Sequence, residues 1–479
     1  MKRAPIIAIL GHVDHGKTTL LDYIRKSNIT QKEKGGITQK IGAYEINYQA
    51  ENFPESKITF IDTPGHEIFS LLRAKGAQVA DIAILLIDAK ESIKPQTIES
   101  IAHIKEAKIP FIVALNKTDL PEAQPEKIKD QLIKYDVVVE DRGGKVPVIN
   151  ISAKTGQGVN DLLETLLLLA SELNLQFNPK NPPLGYVIEV KKDKRGIVAS
   201  VILKDGSIKI GDTLFCGEEK FDLRAIINDQ GKNLSLLTPS TPAEILGLKE
   251  MTTLGSLISS KPTQLTTFFP KEKTVKEVRL EDLLNKKEER KIKIILKTDN
   301  FGSLKAIESV LQKNQNIEII LSSIGEIAKS DVFLAKTAKA IIIGFNSFPN
   351  QEVKQLAKEE KIPIRVYDII YQLIDELNET TQFLKKIEEE KKYKGEAKIL
   401  ALFNIENEVV AGIKMLKGKA NLNDQVEVYR SGNLIGKGRL TSLKIRAKPV
   451  NEVRKNEEAG MIFSPRLDIT IGDVIKFIL

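Results

Sequence analysis

The segment Gly11-His12-Val13-Asp14-His15-Gly16-Lys17-Thr18 comes after an apolar run at 6–10 and leads into a helical stretch. Strand, glycine-bearing loop and helix in that order demand a parallel α/β sheet around them. The buried strand delivers the loop, glycines let backbone N–H groups close around an anion, and the helix adds the positive end of its dipole. The G-x-x-x-x-G-K-T spacing therefore points to a nucleoside-triphosphate cradle. Lys17 is expected between the outer phosphates and Thr18 on Mg²⁺, with Gly11 and Gly16 allowing the tight wrap. An ordinary strand-to-helix turn also carries glycines, and further segments of the chain distinguish the two.

Asp62-Thr63-Pro64-Gly65-His66 comes directly after an apolar strand at 58–61. A strand-end carboxylate can hold Mg²⁺, usually through water, and the Gly65 N–H can donate to a γ-phosphate, so this loop tells triphosphate from diphosphate. Asn116-Lys117-Thr118-Asp119 succeeds the strand at 111–115, and Ser152-Ala153-Lys154 succeeds the one at 147–151. Asp119 can accept from guanine N1–H and the 2-amino group but would face a bare acceptor on adenine; a charged acceptor left unpaired costs about 1.5–3 kcal/mol per lost bond. Lys117 is expected over the ring, and the Ala153 N–H against guanine O6. Between the first helix and the next strand lies Gly35-Gly36-Ile37-Thr38-Gln39, where Thr38 can complete Mg²⁺ coordination only when γ-phosphate is present. His12 and His15 read as members of the phosphate loop, because a structural metal normally wants four ligands and no Cys pair lies near them.

Beyond about residue 180 the pattern changes. Residues 1–178 alternate apolar strands with helical stretches, and Asn178-Pro179-Lys180-Asn181-Pro182-Pro183 reads as a semi-rigid linker. Short strands at 185–191, 196–203, 211–216 and 221–228 then predict an antiparallel β-barrel over 184–268. A small α/β sandwich is expected over 285–368, with strands at 292–296, 317–321, 340–343 and 364–366 and an apolar helix face at Leu304, Ile307, Val310 and Leu311. It lacks a phosphate loop of its own. Residues 369–394 predict a long connecting helix, and 395–479 a C-terminal β-barrel that is a weak copy of the first. The fold class is thus multidomain, α/β plus β-barrels.

The lone Cys216 rules out an internal disulfide, no stretch reaches about 18 apolar residues, and Met1-Lys2-Arg3 leads straight into a strand. These features predict a cytoplasmic protein without a membrane partner, and a monomer. Net charge is +8, and from Lys391 onward 17 Lys and Arg face 10 Asp and Glu, so +7 of it lies in this last part. Such a bias favours a polyanionic partner, with RNA the obvious one.

Taken together, Asp-His before Gly-Lys-Thr and His after Asp-Thr-Pro-Gly resemble the translational GTPases. The strings GGITQKIGAY at 35–44 and DTPGHEIFSLLRAKGAQVAD at 62–81 resemble bacterial-type translation initiation factor two. The resemblance implies a GTP-dependent factor that recruits or stabilises initiator tRNA, in its formylmethionyl form, on the small ribosomal subunit and promotes joining of the large subunit. Hydrolysis to GDP then acts as a release timer. It implies that residues 1–178 are a P-loop GTPase domain, that His66 orients the attacking water, and that Thr38 is a Mg²⁺ ligand with Thr18 and Asp62. Asp14 would help to hold a monovalent cation near the phosphates, Val13 and Ile37 would form an apolar gate around His66, and Asp14, His15, Gly16, Lys17 and Thr19 would line the nucleotide. The family's tRNA pocket carries cysteines where Ile413 and Ala459 stand and an arginine about where Ile445 stands. The resemblance also implies a short form, without the family's N-terminal extension. With no arginine finger legible in cis, intrinsic turnover is expected to be slow, on the order of 10⁻⁴ s⁻¹. Alternatives are an elongation-type carrier of aminoacyl-tRNA and a non-translational GTPase switch.

Overall fold

The computed structural model describes residues 1–26, 42–50, 53–64, 69–263, 291–314, 316–391, 393–405, 408–446 and 448–478. They fall into two compact units, Met1–Ile370 and Tyr371–Leu479.

The first unit opens with strands β1 Ile6–Gly11, β2 Gly42–Ala50, β3 Phe53–Asp62, β4 Ile82–Asp88, β5 Phe111–Asn116 and β6 Val148–Asn150. Between and after them run helices α1 Lys17–Arg25, α2 Ser70–Val79, α3 Pro95–Ala107, α4 Pro125–Ile133 and α5 Val159–Glu172. The sheet order is β2-β3-β1-β4-β5-β6, with β2 antiparallel to β3 and the other pairings parallel. β1 and β4 are buried along their whole length, as central strands covered on both faces must be. Ile7, Ile9, Ile84 and Leu86 pack on one side with Leu20, Leu162 and Leu166; Leu10, Leu85 and Ile87 pack on the other with Ile101, Ile104 and Leu132. The parallel strands end at one edge of the sheet, which therefore collects Gly11, Asp62, Asp88 and Asn116.

Next in the chain comes an antiparallel sheet built on the hairpin Leu184–Asp193 and Gly196–Asp205. Its eight strands form an open path whose end strands, Glu219–Asp222 and Asn233–Leu234, do not pair with each other, while Ile208–Lys209 and Leu236–Leu237 make a separate ladder. The expected barrel is thus corrected to a half-barrel. Apart from the central hairpin its strands are two to five residues long, too short to carry a ladder around a full circle. The expected strand at 221–228 is divided into Glu219–Asp222 and Ala225–Asn228, because the Leu223 N–H turns to Asp212 O at 2.9 Å.

Strands Ile317–Ile324, Ile292–Thr298, Ile341–Phe345 and Ile364–Tyr367 form the parallel sheet of the α/β domain, in that order. Asn300 caps the helix Phe301–Leu311 by accepting from Ser303 N, and Leu304, Ile307 and Leu311 are buried along it.

Polar ties join these parts. Arg3 donates to both carboxylate oxygens of Asp81 at 2.5 and 2.7 Å, Lys204 lies 3.3 Å from the same carboxylate, and Thr59 Oγ1 donates to Ser240 O at 2.5 Å. Glu189 accepts from Gly302 N, 3.3 Å away, at the start of the helix Phe301–Leu311.

The second unit contains most of the 22-residue helix Ile370–Lys391, and after it a closed barrel. Six strands, Tyr393–Ile405, Val474–Ile478, Gln425–Arg430, Asn433–Ile445, Glu458–Ser464 and Glu408–Asn421, pair in that order and the last pairs back to the first. Ile399, Met415, Val426, Met461 and Phe477 fill it. Among the described residues no helix is long and apolar enough to cross a membrane.

Candidate nucleotide site

The loop after β1 begins at Gly11, whose φ is +150° and whose hypothetical Cβ would lie 2.3 Å from Leu86 O on the neighbouring strand. A side chain there would collide with the sheet. At Gly16 φ is +92°, and a Cβ would meet Asn116 Nδ2 at 2.4 Å. Gly16 is also the N-cap of α1 and offers no side-chain bond, which leaves the helix N-terminus open towards an anion.

Lys17 is 6% exposed, and its Nζ donates to the Gly11 carbonyl at 2.9 Å and to the His12 carbonyl at 2.6 Å. Burial pulls its pKa down to about 8 against the opposing pull of Asp62 and Asp14, and the Arg73 guanidinium adds to the lowering. A phosphate group would restore the charge that burial penalises. His15 is buried, with Nδ1 3.3 Å from Leu86 O, and burial brings its pKa to about 4, so it is neutral in the loop. The rings of His12 and His15 meet edge-on at 5.1 Å. No group of three or more His, Cys, Asp or Glu able to hold a metal occurs among the described residues. Asp14 is exposed, with φ +63°, while Thr18 and Thr19 are half-buried at the first turn of α1.

Asp62 ends β3, is 2% exposed and accepts from Tyr44 Oη at 3.2 Å. Thr63 Oγ1 donates to Ile9 O at 2.8 Å, fixing the exit of β3 beside the phosphate loop. Thr38, Ile37, Gly65 and His66 lie outside the described residues.

Asn116 is the joint of the site. It is 2% exposed; its Nδ2 donates to His15 O at 2.8 Å, and its Oδ1 accepts from Ala153 N at 2.8 Å. One side chain thus ties the loop after β5 both to the phosphate loop and to Ser152-Ala153-Lys154. Ala153, expected to offer its N–H to a base, here donates it to Asn116. Lys117 is held by Asp88, 2.7 Å away, and Thr118 Oγ1 donates to Ile151 O at 2.9 Å. Asp119 is left exposed at the mouth. Ser152 is fully buried and shapes its own turn, accepting from Thr155 N at 3.2 Å. Thr19, Ala153 and Lys154 line one cavity of about 820 Å³ between α1, β2 and α5.

The donors present fit a nucleotide with Mg²⁺: an open helix N-terminus, a buried ammonium, a hydroxyl at Thr18 and a buried carboxylate at Asp62. Sequence reasoning missed Asn116 as a tie, Gln96, which accepts from Val13 N at 3.0 Å, and Arg73, which is fully buried. Its place beside Leu72 and Ala74, in a stretch that also carries Lys75, gave no sequence signal that set the last of these apart.

Comparison with known proteins agrees with the architecture. Residues 2–172 match the elongation factor Tu GTP-binding domain, 182–261 match elongation factor G domain 2, and 270–378 match translation-initiation factor 2. Among curated proteins, translation initiation factor IF-2 of Carboxydothermus hydrogenoformans is 40% identical over 99% of this chain and 59% of its own length. That of Aquifex aeolicus is 40% identical over 99% and 61%, and that of Thermotoga sp. 39% over 99% and 71%. The chain spans about 55–61% of the length of the first three relatives it matches. Identity sustained from the phosphate loop to the last barrel strand, in a protein of which this chain covers more than two thirds, shows that the chain belongs to the translation initiation factor IF-2 family.

Proposed function

We propose that this chain is a GTP-driven initiation factor that recruits or holds initiator tRNA on the small ribosomal subunit and promotes joining of the large subunit, with hydrolysis to GDP and phosphate as the release timer. The observation that carries the reading is the convergence of four nucleotide-type segments at one sheet edge, three of them tied together by Asn116 and the fourth, at Asp62, anchored by Thr63 to Ile9. Lys17, Gly16 and the first turn of α1 hold the phosphates, Asp119 and Lys117 the guanine, and Ser152-Ala153-Lys154 closes the base side. Thr18 and Asp62 would hold Mg²⁺, which neutralises charge on the outer phosphates; Thr38 would join them, and Asp14 would take a monovalent cation. His66, four residues beyond Asp62, orients the attacking water.

The cargo end is read from the closed barrel. Ile413 and Ala459 sit opposite each other on paired strands with their side chains in the barrel core, and Ile445 is half-buried. On the outer face of the same strands, Ala401, Gly412, Gly460 and Lys444 form one cross-strand row. A Cβ on Gly412 would lie 3.3 Å from the ring of Phe403, which is 54% exposed. A smooth glycine floor beside an exposed aromatic ring and lysines suits the single-stranded end of an aminoacylated tRNA. The helix Ile370–Lys391 lies between the α/β domain and the closed barrel in the order of the chain.

Ribosome-stimulated GTP hydrolysis by the parent and by His66→Ala tests the assignment. Stimulation should vanish in the variant while GTP affinity stays within a few-fold; equal stimulated rates would remove His66 from its role. Binding of formylated initiator, unformylated initiator and elongator tRNA separates this reading from an elongation-type carrier, which would take all three alike.

A further inference from the structure

The α2 helix carries one side chain that neither the phosphate loop nor the base site uses. Arg73 is completely buried, although a guanidinium never sheds its charge at ordinary pH. Its Nη1 donates to the Pro64 carbonyl at 3.1 Å, and its Nη2 donates to Glu99 Oε2 on α3 at 2.7 Å. Glu99 is braced in turn: His103 Nε2 lies 3.2 Å from its other oxygen and 3.3 Å from Ser70 Oγ at the start of α2. A buried cation survives only when paired and hydrogen-bonded, and here the pairing spans two helices and the end of the β3 loop.

The position of that carbonyl matters. Pro64 stands two residues after Asp62 and two before His66, and Thr63 already anchors the loop to Ile9 of β1. Proline fixes its own φ, so the orientation of the next peptide depends on ψ of Pro64, and the hydrogen bond to the Pro64 carbonyl fixes that ψ. The opposite face of the loop is closed by α2 itself: a Cβ at Gly76, one helical turn beyond Arg73, would lie 2.7 Å from Thr63 Cγ2. Arg73 therefore holds the loop from the helix side and Ile9 holds it from the sheet side.

We propose that Arg73 is a positioning residue for GTP hydrolysis: braced by Glu99, it fixes the Pro64 carbonyl and so holds the end of the segment that begins at Asp62. This rests on the hydrolytic function proposed above. Arg73 points at a backbone carbonyl and a carboxylate, so it acts through the loop and does not touch the phosphates.

Single-turnover GTP hydrolysis, with and without ribosomes, and GDP affinity are to be measured for the parent, Arg73→Met, Arg73→Lys and Glu99→Gln, together with thermal unfolding. Losing a buried donor to the loop should slow hydrolysis by about tenfold or more in Arg73→Met, with GDP affinity within about threefold of the parent. Glu99→Gln should fall between, and Arg73→Lys, with one nitrogen in place of the guanidinium fork, should recover only part of the rate. A folded Arg73→Met protein that hydrolyses at the parental rate overturns the proposal, as does a parallel loss of GDP affinity and rate, which would mark a merely structural role. Should Arg73→Met fail to fold, Glu99→Gln and Arg73→Lys decide: parental rates in both overturn the proposal, and a selective loss of rate supports it. A parent that does not hydrolyse GTP with ribosomes would instead overturn the functional reading beneath it.

Discussion

Replacing Asn116 by alanine should damage nucleotide binding by releasing the loops that its side chain ties together. The side chain makes two buried bonds, one to His15 O and one from Ala153 N, both at 2.8 Å. Alanine leaves that carbonyl and that N–H without their partner in a site that is 2% exposed. Each buried polar group left unsatisfied costs roughly 1–3 kcal/mol, so the two together cost about 2–6 kcal/mol. Where the chain stays folded, this cost appears as loops that must be reordered by the ligand, an affinity loss from about thirtyfold to about twenty-thousandfold. Fluorescent-GDP titration reads the loss, and inosine triphosphate in parallel isolates contacts to the 2-amino group. The ratio of GTP to inosine triphosphate affinity should hold steady, since Asn116 organises the loops and does not choose the base. GDP affinity within twofold of the parent would refute the reasoning, because it would mean that the three loops are held without this tie.

Arg3→Met should lower stability by about 3 kcal/mol, since it strips a buried carboxylate of its bidentate partner and leaves only Lys204 and the Ile6 N–H. Burial alone would raise the Asp81 pKa, but the Arg3 bonds and Lys204 hold it below the usual value; its contribution is therefore full above the unfolded pKa, about 3.9, and lost as pH falls through the lower folded value. In a urea–pH series the stability gap between the parent and Arg3→Met should narrow as pH falls below about 4, and a gap that does not change with pH would show that the pair is idle. Asp119→Asn should weaken GTP and favour xanthosine triphosphate, because an amide donates where the carboxylate only accepted; unchanged competition between the two nucleotides would place Asp119 away from the base.

Much of the first domain was legible because its signals are local. Each motif stands within a few residues of the strand that delivers it, and an apolar run of six or seven residues with a glycine or a carboxylate at its end survives any detail of packing. The helix face at Leu304, Ile307 and Leu311 was legible for the same reason. Closure was not. Alternating short strands announce an antiparallel sheet, but whether its ends meet depends on strand length and stagger. The 13- and 14-residue strands Tyr393–Ile405 and Glu408–Asn421 close their sheet, while the shorter ladders after Asp205 leave theirs open.

By itself, then, the sequence determined that a G-x-x-x-x-G-K-T loop, a carboxylate-ended strand and an Asn-Lys-Thr-Asp loop occur in an order that one parallel sheet gathers at one edge. It also determined which barrel would carry the excess positive charge. Only the tertiary structure decided that Asn116 reaches across 101 positions to His15, that Arg73 turns inward between Pro64 and Glu99, and that Ile413 and Ala459 face the barrel core while Gly412 and Gly460 face out. Spacing in the chain sets period and local turn chemistry; the partner of a buried polar group is chosen by which elements pack together, and that choice is made across the sheet and between helices.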